Sequence, residues 1–314
     1  MPFTLSHPAA VLPLLRSPFR PAALACGALA PDAPYFLGGA GIPVGAQSWY
    51  EPFLNATYSH TLPGLTVALP FALMLLALYR LVRRPVAGLL PPRLAASGVA
   101  GRTGSHPRRA GWVLLSALIG VLTHLAWDSF THFDGYAVTH LSFLRSRVAG
   151  DLTVARVIQH LSTAGGLAAV AVHLWRRPRG PHPTAPSAGL PPAMRRSVVT
   201  ALTAATLVGA AANLRTLETY RGGPGATTPA TAQEVVEGIF ADSAIGGGIA
   251  LACALALYAA AWWAYGAVGR FRTSRAVKCV TSRGAARVPR TRNGPPPSAD
   301  PGEHPARRGR GRLR

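Results

Sequence analysis

Hydrophobic positions in this chain fall into long unbroken runs. Five are long enough to cross the roughly 30 Å of hydrocarbon that needs about 20 apolar residues: residues 64–82, 111–130, 157–175, 197–214 and 244–268. The fourth is Thr- and Ala-rich and the weakest of the set. One such run could be a buried helix of a soluble protein. Five in succession predict an all-α, polytopic membrane helix bundle with about five transmembrane helices, occupying residues 1–268.

The first 35 residues break this pattern. The stretch "PAAVLPLLRSPFRPAALACGALA" is apolar, yet Pro8, Pro13, Pro18 and Pro21 interrupt it and Arg16 and Arg20 sit in its middle. Proline removes a backbone donor that lipid cannot replace, and a central arginine is costly in hydrocarbon. The pattern predicts an N-terminal helical hairpin: two short helices, about 8–15 and 22–30, joined by the turn "RSPFRP". A hairpin returns the chain to its starting side and places His7 and Asp32 at the same end.

Charge then orients the spans. The chain has 32 Lys and Arg against 11 Asp and Glu, net +21. The basic residues lie between and after the apolar runs, with no nucleic-acid motif, so specific nucleic-acid binding is not expected. Arginines crowd residues 83–110, 176–196 and the tail from Arg270, whereas 31–63 holds no Lys or Arg. Segments 131–156 and 215–243 are of mixed charge. By the positive-inside rule the basic loops and C-terminus are cytoplasmic. This predicts a multi-pass plasma-membrane protein whose residues 269–314 form a basic, disordered cytoplasmic tail attracted to anionic membrane lipid. Three distant cysteines make neither a disulfide framework nor a thiolate metal site.

The candidate chemistry sits at the ends of the runs. "THLAWDSFTH" carries His124, Asp128 and His132 four residues apart, on one helical face, at the end of the second run. An ionisable residue within a span faces protein or water and is functional by default; a hydrogen-bonded structural cluster is the alternative. The predicted topology brings His7, Asp32, His60, His124, Asp128 and His132 to the extracytoplasmic end. Four imidazoles and two carboxylates suit one or two Zn²⁺ ions, with Mn²⁺ or Fe²⁺ as alternatives. On a straight helix His124 and His132 are separated by about 12 Å of rise. Either the helix unwinds near Ser129 or two ions flank Asp128. His160 in "QHLSTAGG" is either an extra ligand or a packing residue, and Gly165 and Gly166 are expected to permit close helix approach. Asp134 is a turn residue or a carboxylate orienting His132.

The opening "MPFTLSHPAAVLPL", then "APD", "YSHTLPG" and "THLAWDSFTH", resemble the bacterial membrane family catalogued as domain of unknown function 4184. That family is itself similar to the membrane-bound metal-dependent hydrolases, distant relatives of zinc-dependent phospholipase C. The resemblance covers roughly residues 1–260. It implies a helical fold with a metal site held by His7, Asp32, His60, His124, Asp128 and His132, and a hydrolase activity.

Three functions are weighed on this basis. The first is a metal-dependent hydrolase at the extracytoplasmic interface, acting on a phosphodiester or lipid-linked substrate, with Asp32 or Asp134 as the catalytic base. The second is a non-catalytic membrane protein with a structural His/Asp cluster. The third is a metal transporter, against which stands the apolar stretch "WVLLSALIGVL" below His124, whose one polar residue is Ser116.

Overall fold

The computed structural model describes residues 4–42, 44, 54–55, 57–90, 105–150, 152–176, 190–214 and 231–285. They form an all-α bundle in two compact units, residues 1–263 and 264–314. Among the described residues, four helices are long and apolar enough to cross a membrane, within 65–89, 106–140, 154–176 and 234–266. The fourth sequence run does form a helix, Pro192–Ala212, but it is not in that set.

The N-terminal hairpin is present. Residues Thr4–Leu14 form a 3-10 helix containing Pro8 and Pro13. Proline lacks a donor and disfavours α geometry in the residue before it. After the turn, helix α1 (Pro21–Leu29) opens with proline at its first position, where the missing N–H costs nothing. A 3-10 turn (Ala30–Asp32) leads into α2 (Ala33–Gly39).

Helix α1 is seated against two long helices, α3 (Leu65–Leu89) and α4 (His106–Thr131). Its contact with α4 is backbone on backbone. A Cβ at Gly27 would overlap the Ala117 carbonyl, and one at Gly120 would overlap the Leu24 carbonyl. Small residues let helices approach this closely without a hydrophobic driving force, which lipid cannot supply. On the α3 side, Ala68, Ala72 and Leu76 pack with Ala23, Cys26 and Ala30. Ser116 fixes the start of α1: its hydroxyl accepts from the Arg20 N–H (2.9 Å) and donates to the Trp112 carbonyl (2.6 Å).

Two short helices, α5 (Tyr136–His140) and α6 (Ser142–Arg145), follow α4. Strands β1 (Arg147–Ala149) and β2 (Leu152–Thr153) then pair antiparallel. This small hairpin is absent from the sequence reading. Gly150, at φ 53°, supplies the left-handed residue its turn requires.

Helix α7 (Val154–Arg176) packs on the N-terminal 3-10 helix where Gly166 meets Ser6. Gly165, its expected companion, has open space before it. Helix α8 is Pro192–Ala212, and α9 runs Ala232–Ala285. Pro85 cannot donate to the Leu81 carbonyl within α3, and the Trp263 indole N–H takes that carbonyl instead (3.1 Å). The Tyr258 hydroxyl donates to the Pro85 carbonyl (3.0 Å). The tryptophan pair near the end of the last span is thus a packing device. Helix α9 continues past residue 268, with no proline before Pro289; residues 286–314 of the expected tail lie outside the described residues.

Candidate metal centre

Six side chains from four stretches of chain meet at one end of the bundle. The N-terminal 3-10 helix supplies His7, the turn after α1 supplies Asp32, and a 3-10 turn before α3 (Tyr58–His60) supplies His60. Helix α4 supplies His124 and Asp128 one turn apart, and its C-cap residue is His132. Asp32, His124 and Asp128 are buried.

The innermost group is Asp32, His60, His124 and Asp128, with one ligand atom from each lying within 4.8 Å of the others. Nε2 of His124 is 3.0 Å from Asp128 Oδ2, 3.7 Å from Asp32 Oδ1 and 3.4 Å from His60 Nε2. Nε2 of His60 is 3.2 Å from Asp32 Oδ1 and 3.6 Å from Asp128 Oδ2. A tetrahedral ion with bonds of about 2.0–2.1 Å separates its ligands by about 3.3 Å. The five spacings scatter about that value.

Hydrogen bonding on the far side of each ring sets what these atoms present. His124 Nδ1 lies 2.7 Å from the Ala28 carbonyl oxygen, which only accepts, so Nδ1 carries the proton. The Ser59 hydroxyl donates to the Pro31 carbonyl (2.8 Å), so its oxygen accepts from His60 Nδ1 at 3.2 Å. When both rings are neutral, bare Nε2 lone pairs face inward, toward each other and toward two carboxylates. A cation reconciles these four atoms, and holding one histidine nitrogen by a backbone carbonyl or hydroxyl while the other binds metal is the usual construction of such sites.

His7 and His132 flank the group. The His7 ring stacks on that of His124, centroids 3.7 Å apart, and its Nε2 is 3.6 Å from Asp128 Oδ1. Burial, reinforced by the neighbouring His124, pushes the His7 pKa down to about 4, so the ring is neutral at neutral pH. His132 Nδ1 is 3.5 Å from Asp128 Oδ2. Several polar atoms here make no hydrogen bond among the described residues: His7 Nε2, Asp32 Oδ2, both Asp128 carboxylate oxygens and His132 Nε2. Orphaned acceptors and an N/O donor set of this kind fit a divalent ion.

A family model described as Domain of unknown function (DUF4184) matches residues 1–260. The chain belongs to this family. No curated protein and no solved structure matches it. The DUF4184 region includes all six clustered residues.

The geometry refines two of the sequence expectations for this DUF4184 chain. Helix α4 ends at Thr131, and His132 adopts an extended backbone, φ −88° and ψ 143°. Its ring stays beside Asp128, Nδ1 3.5 Å from Oδ2, and the helix ends just before it, close to the unwinding near Ser129 that the sequence allowed. A tight approach shapes this turn: a Cβ at Gly135 would press on the Ser129 and Asp128 carbonyls. Asp134, offered as a base or as the partner of His132, is exposed in the same turn and is not in the converging group. His160 is half-exposed and pairs with Glu237 (3.3 Å), away from the ligand set. His140, to which the sequence assigns no role, stacks on Tyr136 and bonds its carbonyl (2.8 Å). Glu51 lies outside the described residues.

Sequence reasoning missed the groups that orient the rings. Ser59 stands beside His60 in "YSH", a polar neighbour that could have drawn notice. The carbonyls of Ala28 and Pro31 leave no side-chain signature. Asn55 accepts from the Tyr58 N–H (2.8 Å) and so braces the turn that presents His60.

Proposed function

We propose that the chain is a membrane-embedded, zinc-dependent hydrolase with its site at the extracytoplasmic end of the bundle. One observation carries the metal assignment: two imidazole nitrogens and two carboxylates converge, and the far nitrogen of each ring faces the Ala28 carbonyl or the Ser59 hydroxyl. Nε2 of His60 and His124, Oδ1 of Asp32 and Oδ2 of Asp128 would hold the ion. A bound zinc ion would supply Lewis acidity, activating water near neutral pH and stabilising charge on a phosphoryl or acyl oxygen.

The protein's own groups supply the rest. Asp32 Oδ2, buried and without a hydrogen bond, is a fixed proton acceptor beside the ligand atoms. Neutral His7, with Nε2 3.6 Å from Asp128 Oδ1, leaves an imidazole at the wall of the site. His132, with a side chain 20% exposed, is the wettest of the six and marks the approach for a polar substrate. His7, His132 and the Asp128 carboxylate together offer a second position, which favours a two-ion site of the kind used on phosphodiesters. Asp134, in the exposed turn beyond, is the more distant candidate base.

One observation favours a second reading, a structural metal centre without catalysis. Four protein ligands close a tetrahedral coordination sphere, as structural sites do. Transport is the weakest alternative, because Ser116, the polar residue deeper in α4, is already bonded to Arg20 and Trp112.

Metal analysis of detergent-purified protein, together with assays on phosphodiester and ester lipids, separates these readings. Bound divalent metal with hydrolysis supports the enzyme. Metal without hydrolysis of any of them supports the structural centre. Protein without divalent metal overturns both. Reporter fusions after Pro183 and Arg314 are expected to read cytoplasmic and fusions within 40–55 external; the inverse pattern would place the site on the cytoplasmic side.

A further inference from the structure

A cavity of about 310 Å³ adjoins the metal centre, between the N-terminal 3-10 helix, α4 and α7. Its walls include Ala9, Ala10, Trp127, Gly165 and Ala169, and one titratable side chain, His7. Ala10, Trp127, Gly165 and Ala169 are exposed, so the space opens to whatever surrounds the helices. Helices α4 and α7 are both candidate spans. Gly165 and Ala169 lie about 16 and 22 Å along α7 from its start, at hydrocarbon depth. The surroundings there are acyl chains.

The lining is shaped for such a chain. Positions 165 and 169 follow each other on one face of α7, and neither side chain fills the space. A Cβ at Gly165 would meet nothing within 4 Å, whereas the next residue, Gly166, is in close contact with Ser6. The gap is therefore held open by the Gly166 contact and left empty at Gly165. The Ser162 hydroxyl, also in the wall, donates to the Gln159 carbonyl of its own helix (2.9 Å) and turns no polarity inward. His7 is the exception. It is 4% exposed, its Nε2 makes no hydrogen bond, and its ring lies against His124 and Asp128.

We propose that this cavity binds one hydrocarbon chain of a lipid substrate, with His7 as the partition between the chain and a polar headgroup at the His/Asp cluster. The headgroup half rests on the metal-site reading above. The chain-binding half does not. Within hydrocarbon the gain is packing of the chain against preformed walls, not its removal from water.

The test uses full-length protein in nanodiscs containing a diacyl phospholipid with a diazirine in mid-chain. Photolabelling is expected on the peptides bearing Ala9, Trp127 and Gly165, above the level at Leu78, an exposed α3 residue that reports bulk lipid. Gly165→Leu puts a side chain into the open space and improves helix propensity. It should lower cavity labelling by about tenfold while Leu78 labelling and metal content stay unchanged. Ala169→Leu provides an independent version of the same block. Cavity labelling no higher than at Leu78, or unaffected by both variants, overturns the proposal. Labelling that persists in metal-free protein supports the lipid site even where the metal reading has failed.

Discussion

Two polar clusters sit in this bundle, and they solve the problem of charge among apolar helices differently. At the contact of α7 and α9, Arg156 donates to both Gln159 (3.1 Å) and Glu237, and His160 approaches the other Glu237 oxygen (3.3 Å). Donors and acceptors are matched, and solvent reaches the group: the Arg156 and His160 side chains are 38% and 51% exposed. That cluster needs nothing more. The His/Asp cluster has the reverse arrangement. Its side chains are mostly buried, the outer ring nitrogens of His124 and His60 face Ala28 and Ser59, and what converges inside is ring nitrogens and carboxylates. An uncompensated group of this kind is costly. Composition alone does not separate the two, since both contain histidine and carboxylate. The placement of donors does.

The largest effect should come from removing one converging ligand. His124→Ala and Asp128→Ala are each expected to abolish stoichiometric metal binding, measured by elemental analysis of purified protein. Glu237→Gln, which alters the matched cluster, should keep full metal content. Retention of metal in both ligand variants would erase the distinction between the clusters.

How far the sequence discloses this depends on where each signal resides. The hairpin was legible because prolines and central arginines act locally on backbone donors and on the cost of burial. His124 and Asp128 were legible because helical spacing is a property of the sequence itself. Which of the two arrangements offered for His132 holds was not legible, because the end of α4 is set by the turn through Gly135, not by any stop residue in "DSFTH". The convergence of His7, Asp32 and His60 on α4 depends on Gly27 and Gly120 allowing α1 to touch it, a tertiary fact with only a faint trace in a glycine-rich sequence. The Ala28 and Pro31 carbonyls have no trace at all. The small strand pair at 147–153 was lost in a segment read only for its charges.

A milder change should sharpen the comparison by leaving all ligands in place. Ser59→Ala removes the acceptor for His60 Nδ1 and the donor to the Pro31 carbonyl. Loss of such an outer partner lowers metal affinity by about 10–100-fold. Chelator competition should show the weakened affinity while elemental analysis at saturating zinc still finds full occupancy. Unchanged affinity would mean that the ring's orientation does not depend on this hydroxyl, and the argument from donor placement would then rest on His124 alone.

The smallest effect is expected at the matched cluster itself. Arg156→Met removes the donor to Gln159 and Glu237 but keeps much of the side chain's apolar stem. Partly exposed ion pairs contribute only about 0–1 kcal/mol, because water replaces the lost partner and long side chains regain freedom. Glu237 is 25% exposed at its side chain, so hydration is available to it. Thermal unfolding of the variant in detergent should therefore shift slightly, and zinc affinity should not change. A large loss of stability would show that the cluster is sealed from solvent by the surrounding lipid or detergent. The carboxylate would then be a buried charge that Arg156 neutralises, and the two clusters would differ in the identity of the cation, protein-borne in one and metal in the other, instead of in their need for one.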